Sequence, residues 1–276
     1  MAKNLNFFKN KIKEAWPDQD DISTEFIFYL KEKLYLSDVS IYVDNYLLSK
    51  DEEDSINKFI LLKKEGVPID YILEKSSFFG NNFFVDSRVL IPRPETELLV
   101  DFINKLNLQS SKIVIDAGTG SGCIGISLAI HNPNIKVYGL DFSKEALVVA
   151  NKNKKSLKVE NFVTVHSNWL SKIKNASCDL IVSNPPYISS EDEHLQDLTH
   201  EPLMALAALN NGLADFETIS SQATLKLVRG GMLAFEHGFN QKSQVSKIMK
   251  KNGFKNIETL KDHQGHPRAT VGILGN

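Results

Sequence analysis

The chain has 276 residues, of which 42% are hydrophobic and 24% are charged, and its formal net charge is -2 at pH 7. This length accommodates one large domain or a large domain with a small companion, and the composition is ordinary for a soluble globular protein. The low net charge argues against a protein that holds nucleic acid mainly by neutralising phosphates.

The cysteines and the N-terminus indicate the compartment. Cys123 and Cys178 both lie in apolar stretches, so neither a disulfide framework nor a cysteine-based metal site is indicated. The first 16 residues alternate lysines with aromatic residues and contain no continuous apolar run, which excludes a signal peptide or membrane span there. We therefore expect a cytoplasmic protein with no membrane association.

The first part of the chain has helical periodicity. Hydrophobic residues recur at helical spacing from Leu5 to about Lys75, for example at Phe26, Leu30 and Leu34. Pro17 and Pro68 interrupt the pattern. The sequence predicts a small all-helical domain over residues 1–75.

A β-hairpin is predicted next. Two pairs of phenylalanines flank Gly80-Asn81-Asn82 in SFFGNNFF, a pattern typical of a hairpin turn. The stretch IPRPETE then leads into a helix, with Pro94 or Glu95 in its first turn. We assign residues 76–93 to a hairpin linker between two domains.

From residue 112 onward, short apolar strands alternate with helices. The predicted strands are KIVID, IKVYGLD, FVTVH, CDLIVSN, GGMLAFEHG, FKNIETL and ATVGIL. Such alternation favours an α/β domain with a mostly parallel sheet covered by helices on both faces. No convincing helix separates the last two strands, so we expect an antiparallel end to this seven-stranded sheet in a domain spanning residues 94–276.

A glycine-rich loop follows the first strand of this domain. It reads DAGTGSG from Asp116 to Gly122, and alternate glycines let the backbone approach a ligand without interference from Cβ atoms. Asp141 ends the second strand, where its carboxylate could accept the hydroxyls of a ribose or cap the next helix. The nicotinamide fingerprint requires a glycine where Cys123 stands. The loop instead resembles that of S-adenosylmethionine-dependent methyltransferases, so a methyltransferase is favoured over a dehydrogenase.

Asn168 and Trp169 follow the third strand. In the methyltransferase superfamily this position surrounds the adenine of the cofactor, and the Trp169 ring offers a face for stacking. A single tryptophan can equally be a core residue.

The stretch Asn184-Pro185-Pro186-Tyr187 follows the fourth strand directly. Proline lacks a backbone donor and fixes φ, so the turn displays the Asn184 amide rigidly at the edge where ligands bind open α/β sheets. In methyltransferases this sequence marks enzymes that methylate a nitrogen conjugated to a planar system. The Asn184 side-chain oxygen and the Pro185 carbonyl could each accept one N–H of such a nitrogen, while Pro186 and Tyr187 pack on its flat face.

The chain resembles the peptide chain release factor glutamine methyltransferases, the PrmC/HemK family, along nearly its whole length. The matching stretches include FFGNNFFVDSRVLIPRPETELLV, IDAGTGSGCIGISLAI, CDLIVSNPPYISSEDEHL and DHQGHPRATVGIL. The resemblance implies a Rossmann-like class I methyltransferase domain after a helical domain that grips a release factor. It also implies methyl transfer from S-adenosyl-L-methionine to the glutamine of the release factors' Gly-Gly-Gln loop, with S-adenosyl-L-homocysteine as product.

The resemblance also implies particular contacts. The implied cofactor contacts are Gly118, Thr119, Gly120, Ser121, Gly122, Asp141, Trp169 and Asn184. The implied substrate contacts are Asn184, Pro185, Pro186 and Tyr187, with Asn184, Pro185 and Tyr187 as the catalytic group. Asp70, Glu74 and Asn168 depart from the residues common in the family.

Two further readings concern the substrate and the role of the IPRPETE stretch. An adenine-N6 nucleic-acid methyltransferase would use the same Asn-Pro-Pro-Tyr site but needs a basic, base-flipping surface, which the chain does not evidently have. A non-catalytic module is disfavoured by the intact Asn-Pro-Pro-Tyr sequence. Arg93 and Glu95 either organise the mouth of the site or form a surface ion pair at a helix start.

The remaining polar candidates receive structural interpretations. His263 and His266 flank Gln264-Gly265, which indicates a turn, and no third ligand is evident, so we predict no metal. Glu236 and His237 end the fifth strand and could line the site, although a polar pair at a strand end is usually solvated.

Overall fold

The computed structural model describes residues 3–17, 19–43, 46–106, 108 and 111–275. The chain forms two compact units, Met1–Lys75 and Ser76–Asn276. Within the described residues, no helix is both long enough and apolar enough to cross a membrane.

The first unit is helical, as predicted. Its helices are α1 (Leu5–Ala15), α2 (Asp20–Glu32), α3 (Asp38–Tyr42), α4 (Lys50–Lys64) and α5 (Ile69–Leu73). Ser49 and Glu52 form a reciprocal capping box that starts α4, and Pro68 is the N-cap of α5. Phe8, Phe26 and Phe59 lie in a shared core of buried aliphatic and aromatic side chains.

The predicted hairpin is present at the start of the second unit. Strands β1 (Ser76–Phe78) and β2 (Asn81–Phe83) pair antiparallel around Gly80, whose φ is +74°. Phe78 and Phe83 are fully buried in the core of this unit. The hairpin is therefore anchored in the core of the larger unit.

The rest of the second unit alternates helices and strands. A 3-10 turn (Pro94–Thr96) precedes α6 (Glu97–Lys105), β3 (Ile113–Ala117), α7 (Cys123–His131), β4 (Lys136–Asp141), α8 (Lys144–Ser156), β5 (Phe162–His166) and β6 (Cys178–Ser183). Then follow β7 (Ile188–Ser189), β8 (Ala207–Ala208), α9 (Leu209–Gly212), α10 (Ala214–Lys226), β9 (Leu227–Glu236), α11 (Lys242–Lys251), β10 (Phe254–Lys261) and β11 (Pro267–Leu274).

In the described part of the chain, seven strands form the main sheet in the order β10-β11-β9-β6-β3-β4-β5. β11 runs antiparallel to both β10 and β9, and the other pairs are parallel. The mostly parallel sheet with an antiparallel end is confirmed. Two clusters of buried apolar side chains, one including Ile126 and the other Phe216, form the core of the unit.

The register of the parallel strands brings the ends of β3, β4, β6 and β9 together. Leu140 pairs with Ala117, Ala117 with Ser183, and Ser183 with Phe235. The residues that follow these four are Asp141, Gly118, Asn184 and Glu236. Four chemically distinct positions are thus aligned at one edge of the sheet.

Candidate active site

A cavity of about 330 Å³ opens at this edge. Six of the site residues that the resemblance implies border it: Gly118, Gly120, Asp141, Trp169, Asn184 and Pro186. Its volume falls at the lower end of the range of roughly 300–1,000 Å³ that is usual for small-molecule sites. The glycine loop and the Asn-Pro-Pro-Tyr turn therefore face the same space.

The glycine loop owes its shape to backbone angles that favour glycine. Gly118, Gly120 and Gly122 have φ values of +76°, +54° and +85°. A Cβ on Gly118 would lie 3.2 Å from the Trp169 ring, so the ring contacts the loop closely. The loop backbone at Gly118 and Gly120 is thereby left bare toward the cavity.

Asp141 holds the loop from the neighbouring strand. Its Oδ2 accepts the Gly120 N–H at 2.9 Å and its Oδ1 accepts the Ser143 N–H at 2.8 Å. Burial raises the pKa of Asp141, and these backbone donors oppose the rise. A carboxylate has about four lone-pair sites, so Asp141 keeps acceptor capacity for a ligand in the cavity.

Three of the implied cofactor contacts, Thr119, Ser121 and Gly122, do not border the cavity. The Thr119 hydroxyl donates to Asp116 at 2.6 Å, and the Ser121 carbonyl accepts from the Asn153 side chain at 2.8 Å. Gly122 is the N-cap of α7. In this structure the contacts of these three residues stabilise the conformation of the loop, and the residues themselves lie outside the cavity lining.

Asp116 is fully buried beneath the loop. Its Oδ2 accepts hydrogen bonds from the Thr119 hydroxyl and from the Gly125 N–H at 2.9 Å, while its Oδ1 has no partner among the described residues. Burial is the main reason that the pKa of Asp116 rises to about 6, against the lowering effect of these donors. The side chain braces the loop and is not among the residues lining the cavity.

Trp169 and Asn168 also line the cavity. Trp169 has a φ of +44°, and its indole N–H donates to the Asp215 carboxylate. That hydrogen bond opposes the rise in the Asp215 pKa that burial causes. Asn168 is exposed at the rim, so the ring of Trp169 is held rigidly while the neighbouring amide is in contact with solvent.

The Asn-Pro-Pro-Tyr turn is fixed from two sides. Asn184 and Pro186 line the cavity, whereas the Pro185 ring is buried. The Tyr187 carbonyl accepts the Gln241 side-chain N–H at 2.9 Å, and Gly212 packs so closely that a Cβ there would lie 2.1 Å from the same oxygen. Burial raises the pKa of Tyr187, so its hydroxyl remains protonated at neutral pH.

Two residues that the sequence did not assign to the site lie next to Asn184. The Asn184 Nδ2 donates to the Thr96 hydroxyl at 3.3 Å, and Glu236 interacts with both Thr96 and Tyr187. Glu236 is 2% exposed and His237 is fully buried, so the expectation of a solvated strand end was wrong. The physical reason is that β11 continues alongside β9 as far as Glu236 and covers its end.

Arg93 joins two segments that border the cavity. Its guanidinium pairs with the buried Glu201 carboxylate, which also accepts the Ile91 N–H at 3.0 Å. Arg88–Leu90 and Pro202–Ala205 supply lining residues immediately beside this pair. The Arg93 ion pair thus ties the two segments together, and its carboxylate is buried, unlike that of a surface ion pair.

Two other residues that support the site, Asn153 and Gln241, were not identified from the sequence. Asn153 on α8 donates to the carbonyls of Phe84 and Ser121 and accepts from the Phe84 N–H, which fastens the segment after the hairpin to the glycine loop. An asparagine on a helix otherwise rich in lysine gave no signal of this role. Gln241 was equally inconspicuous in the sequence.

The histidines near the C-terminus form a turn, as predicted. Gly265 has a φ of +84°, and Asp262 accepts the backbone N–H groups of Gln264 and His266. In the described residues, no group of three or more histidine, cysteine or acidic side chains is arranged to hold a metal ion.

Comparison with known proteins identifies relatives over most of the chain. A family model described as "Methyltransferase small domain" matches residues 94–266. A protein of Coxiella burnetii is 36% identical over 229 residues, which cover 83% of each chain. A protein of Buchnera aphidicola subsp. Schizaphis graminum is 35% identical over 273 residues, 98% of each chain. Both are named release factor glutamine methyltransferase.

Solved structures share the fold at low identity. A methyltransferase from Pyrococcus furiosus matches with a TM-score of 0.53 and 15% identity, over 83% of this chain and all of that one. A 16S rRNA N2 G1207 methyltransferase of T. thermophilus, in complex with AdoMet and guanosine, matches with a TM-score of 0.52 and 16% identity, over 72% of this chain and 49% of that one. These likenesses concern the architecture of the sheet and its helices.

Proposed function

The chain belongs to the family of release factor glutamine methyltransferases, and from this membership we propose that it methylates the side-chain amide nitrogen of a glutamine in peptide chain release factors. The glutamine is that of the Gly-Gly-Gln loop, and its methylation supports translation termination. One observation carries the proposal. Asn184, which can hold a carboxamide, borders the same cavity as the glycine loop and Asp141.

The residues around the cavity fit S-adenosyl-L-methionine. The bare backbone at Gly118 and Gly120 leaves room for the amino acid part, and the Asp141 carboxylate has acceptor capacity for ribose hydroxyls. The held ring of Trp169 and the amide of Asn168 suit the adenine. When bound, this cofactor supplies an electrophilic methyl group on a sulfonium sulfur.

Asn184 and Pro185 prepare the accepting nitrogen. A carboxamide nitrogen is a poor nucleophile because its lone pair is delocalised into the carbonyl. In the proposed complex, the Asn184 side-chain oxygen and the Pro185 carbonyl accept one N–H each, which orients the nitrogen toward the methyl donor. Pro186 and Tyr187 pack on the amide face and exclude water. No strong base is required before transfer, because a proton can leave the nitrogen afterwards.

The first unit is proposed to dock the release factor. Among the described residues of this unit, eight large apolar side chains are exposed: Phe7, Phe28, Tyr35, Val39, Tyr42, Val43, Leu47 and Leu61. Four of them fall within nine residues of the sequence, from Tyr35 to Val43, and exposed apolar side chains of this kind would suit a protein partner. The protein would then act in the cytoplasm, where release factors work.

The proposal is tested by incubating the pure protein with methyl-labelled S-adenosyl-L-methionine and an unmethylated release factor. Adenine-containing DNA and RNA are offered separately, and the label is located by mass spectrometry. Label on the Gly-Gly-Gln glutamine is expected. Label on adenine instead would replace the substrate with nucleic acid, and no label on any of them would refute the methyltransferase activity proposed here.

A further inference from the structure

Thr96 connects Asn184 to a buried carboxylate. The Asn184 Nδ2 donates to the Thr96 Oγ1 at 3.3 Å. The Thr96 hydroxyl also interacts with the Glu236 carboxylate and lowers the pKa of that group. Thr96 and Glu236 are each 2% exposed. The Glu236 Oε1 lies 3.5 Å from the Tyr187 hydroxyl, and in the part of the chain that the structure describes its Oε2 has no partner. The series of interacting side chains Glu236, Thr96 and Asn184 thus links a buried carboxylate to the cavity.

The direction of each hydrogen bond in this series follows from the number of donor protons that each group carries. An ionised carboxylate only accepts, so the single Thr96 hydroxyl proton is donated to Glu236. The Thr96 oxygen can then only accept, which requires the Asn184 amide to present its NH2 group to Thr96. The Asn184 oxygen is consequently directed away from Thr96, available to a donor in the cavity.

We propose that Glu236, acting through the Thr96 hydroxyl, sets the orientation of the Asn184 carboxamide so that its oxygen is presented to the N–H of the substrate. The inference rests on the proposed function, because it assigns the support of the group that holds the accepting nitrogen. Thr96 and Glu236 are positioning residues in this scheme. Without them the Asn184 amide can turn over and present its NH2 group, which cannot accept a hydrogen bond from the substrate.

The protonation state of Glu236 controls this orientation. Burial is the main cause that raises the pKa of Glu236 to about 7, opposed by Thr96 and by the positive charge of Arg268. The other titratable groups facing it are Glu95, Tyr187 and Cys123. Once protonated, the carboxyl group can donate to the Thr96 oxygen, which frees the Thr96 proton to point at Asn184. Turnover is therefore expected to fall as the pH drops through about 7.

The decisive variant is Thr96→Val, which keeps the shape of the side chain and removes the hydroxyl. Thr96→Ser restores the hydroxyl, and Glu236→Gln removes the titrating group. A matched control is Thr164→Val, because the Thr164 hydroxyl also accepts from an asparagine, Asn151, at 2.8 Å and lies outside the cavity. For the full chain of each variant, kcat and KM for the release factor, S-adenosyl-L-homocysteine affinity and the pH profile between 6 and 8 are measured.

We expect Thr96→Val to lower kcat by about tenfold or more while cofactor affinity stays within about twofold. Thr96→Ser is expected to recover most of kcat, and Thr164→Val to match the wild type. The decline of kcat on the acid side should disappear in Thr96→Val and in Glu236→Gln. A merely structural role of Thr96 would leave that decline in place.

A wild-type kcat in Thr96→Val, or an unchanged acid decline in that variant, would refute the inference while leaving the proposed function intact. Label on adenine by the wild type would refute the proposed substrate. The same comparison would then be run with adenine, whose exocyclic NH2 needs the same acceptor. A wild-type protein that labels neither substrate would overturn both proposals.

Discussion

Asp141 and Gly120 are joined by a hydrogen bond of 2.9 Å from the glycine N–H to the carboxylate. The residue proposed to bind the ribose therefore also fixes the loop proposed to pass beside the methionine part. Because one side chain serves both purposes, its loss should disturb the cofactor site more than the loss of a single ligand contact.

Asp141→Ala is expected to weaken S-adenosyl-L-homocysteine binding by about 10- to 100-fold, since hydrogen bonds to a charged group contribute roughly 1.5–3 kcal/mol. Titration calorimetry measures the change. Asp101→Asn is the control, because Asp101 pairs with Lys105 on the exposed face of α6. Equal affinities in Asp141→Ala and wild type would place the ribose elsewhere.

The sequence predicted the sheet well because its strands are marked by local patterns. Most of the seven strands contain a short apolar run bounded by turn residues, and the glycines and prolines identify the two loops at the ligand edge. The pattern could not show which loop residues face the cavity. Thr119 and Ser121 alternate with glycines in the sequence, and that alternation does not reveal that Thr119 bonds to Asp116 and that the Ser121 carbonyl bonds to Asn153 on α8.

The supporting residues were missed because their partners are remote in sequence. Thr96 lies 88 residues from Asn184, and it looked like part of a helix start. Glu236 looked solvated because its burial depends on β11, which follows it in the chain and runs antiparallel beside it. Nothing within β9 itself signals that arrangement.

Asn184→Ala tests the proposed holder of the substrate amide. Removing the side chain should lower kcat by about 10²–10³, the usual effect of deleting one essential hydrogen-bonding group from an active site. Its folding should change little, since the side chain is partly exposed and makes one hydrogen bond within the described residues. Turnover is measured with labelled cofactor and thermal unfolding is measured in parallel.

The control for Asn184→Ala is Asn151→Ala, which also removes an asparagine bonded to a threonine hydroxyl. That variant should keep a wild-type kcat. Wild-type turnover in Asn184→Ala would remove Asn184 from the mechanism.

Gly212→Ala tests whether the Asn-Pro-Pro-Tyr turn depends on the close packing of Gly212 against the Tyr187 carbonyl. The added Cβ would lie 2.1 Å from the Tyr187 carbonyl oxygen, at a φ of +78° that is already strained for alanine. We expect the turn to shift, with a loss of about 3 kcal/mol in the free energy of unfolding and a lower kcat. Urea unfolding and turnover are the measurements.

Gly230→Ala provides the matched control. Gly230 has a φ of +74°, but a Cβ there would meet no atom of the described residues within 4 Å. This variant should lose only the roughly 1–2 kcal/mol of left-handed strain and keep its kcat. Equal effects of the two substitutions would show that the contact with Tyr187 contributes nothing beyond backbone strain.

Asp116 should make the stability of the second unit depend on pH. Its pKa is raised from 3.8 to about 6 in the folded state, so the folded protein binds this proton more tightly than the unfolded chain does. The stability contributed by the protonated group is therefore complete below about pH 4 and is lost as the pH rises through about 6. Above that range, the buried charge costs about 3 kcal/mol.

Asp116→Asn isolates this effect, because the amide oxygen can still accept from Thr119 and Gly125 and the side chain cannot titrate. Its stability relative to wild type should increase by about 2 kcal/mol between pH 4.5 and 7.5. Any cost of burying the amide is independent of pH. The change with pH in the difference between the two unfolding free energies is therefore diagnostic, and the size of that difference at a single pH is not. Trp16→Phe in both proteins leaves Trp169 as the fluorescent reporter of the second unit during urea unfolding. A stability difference that stays constant with pH would mean that Asp116 does not titrate in this range.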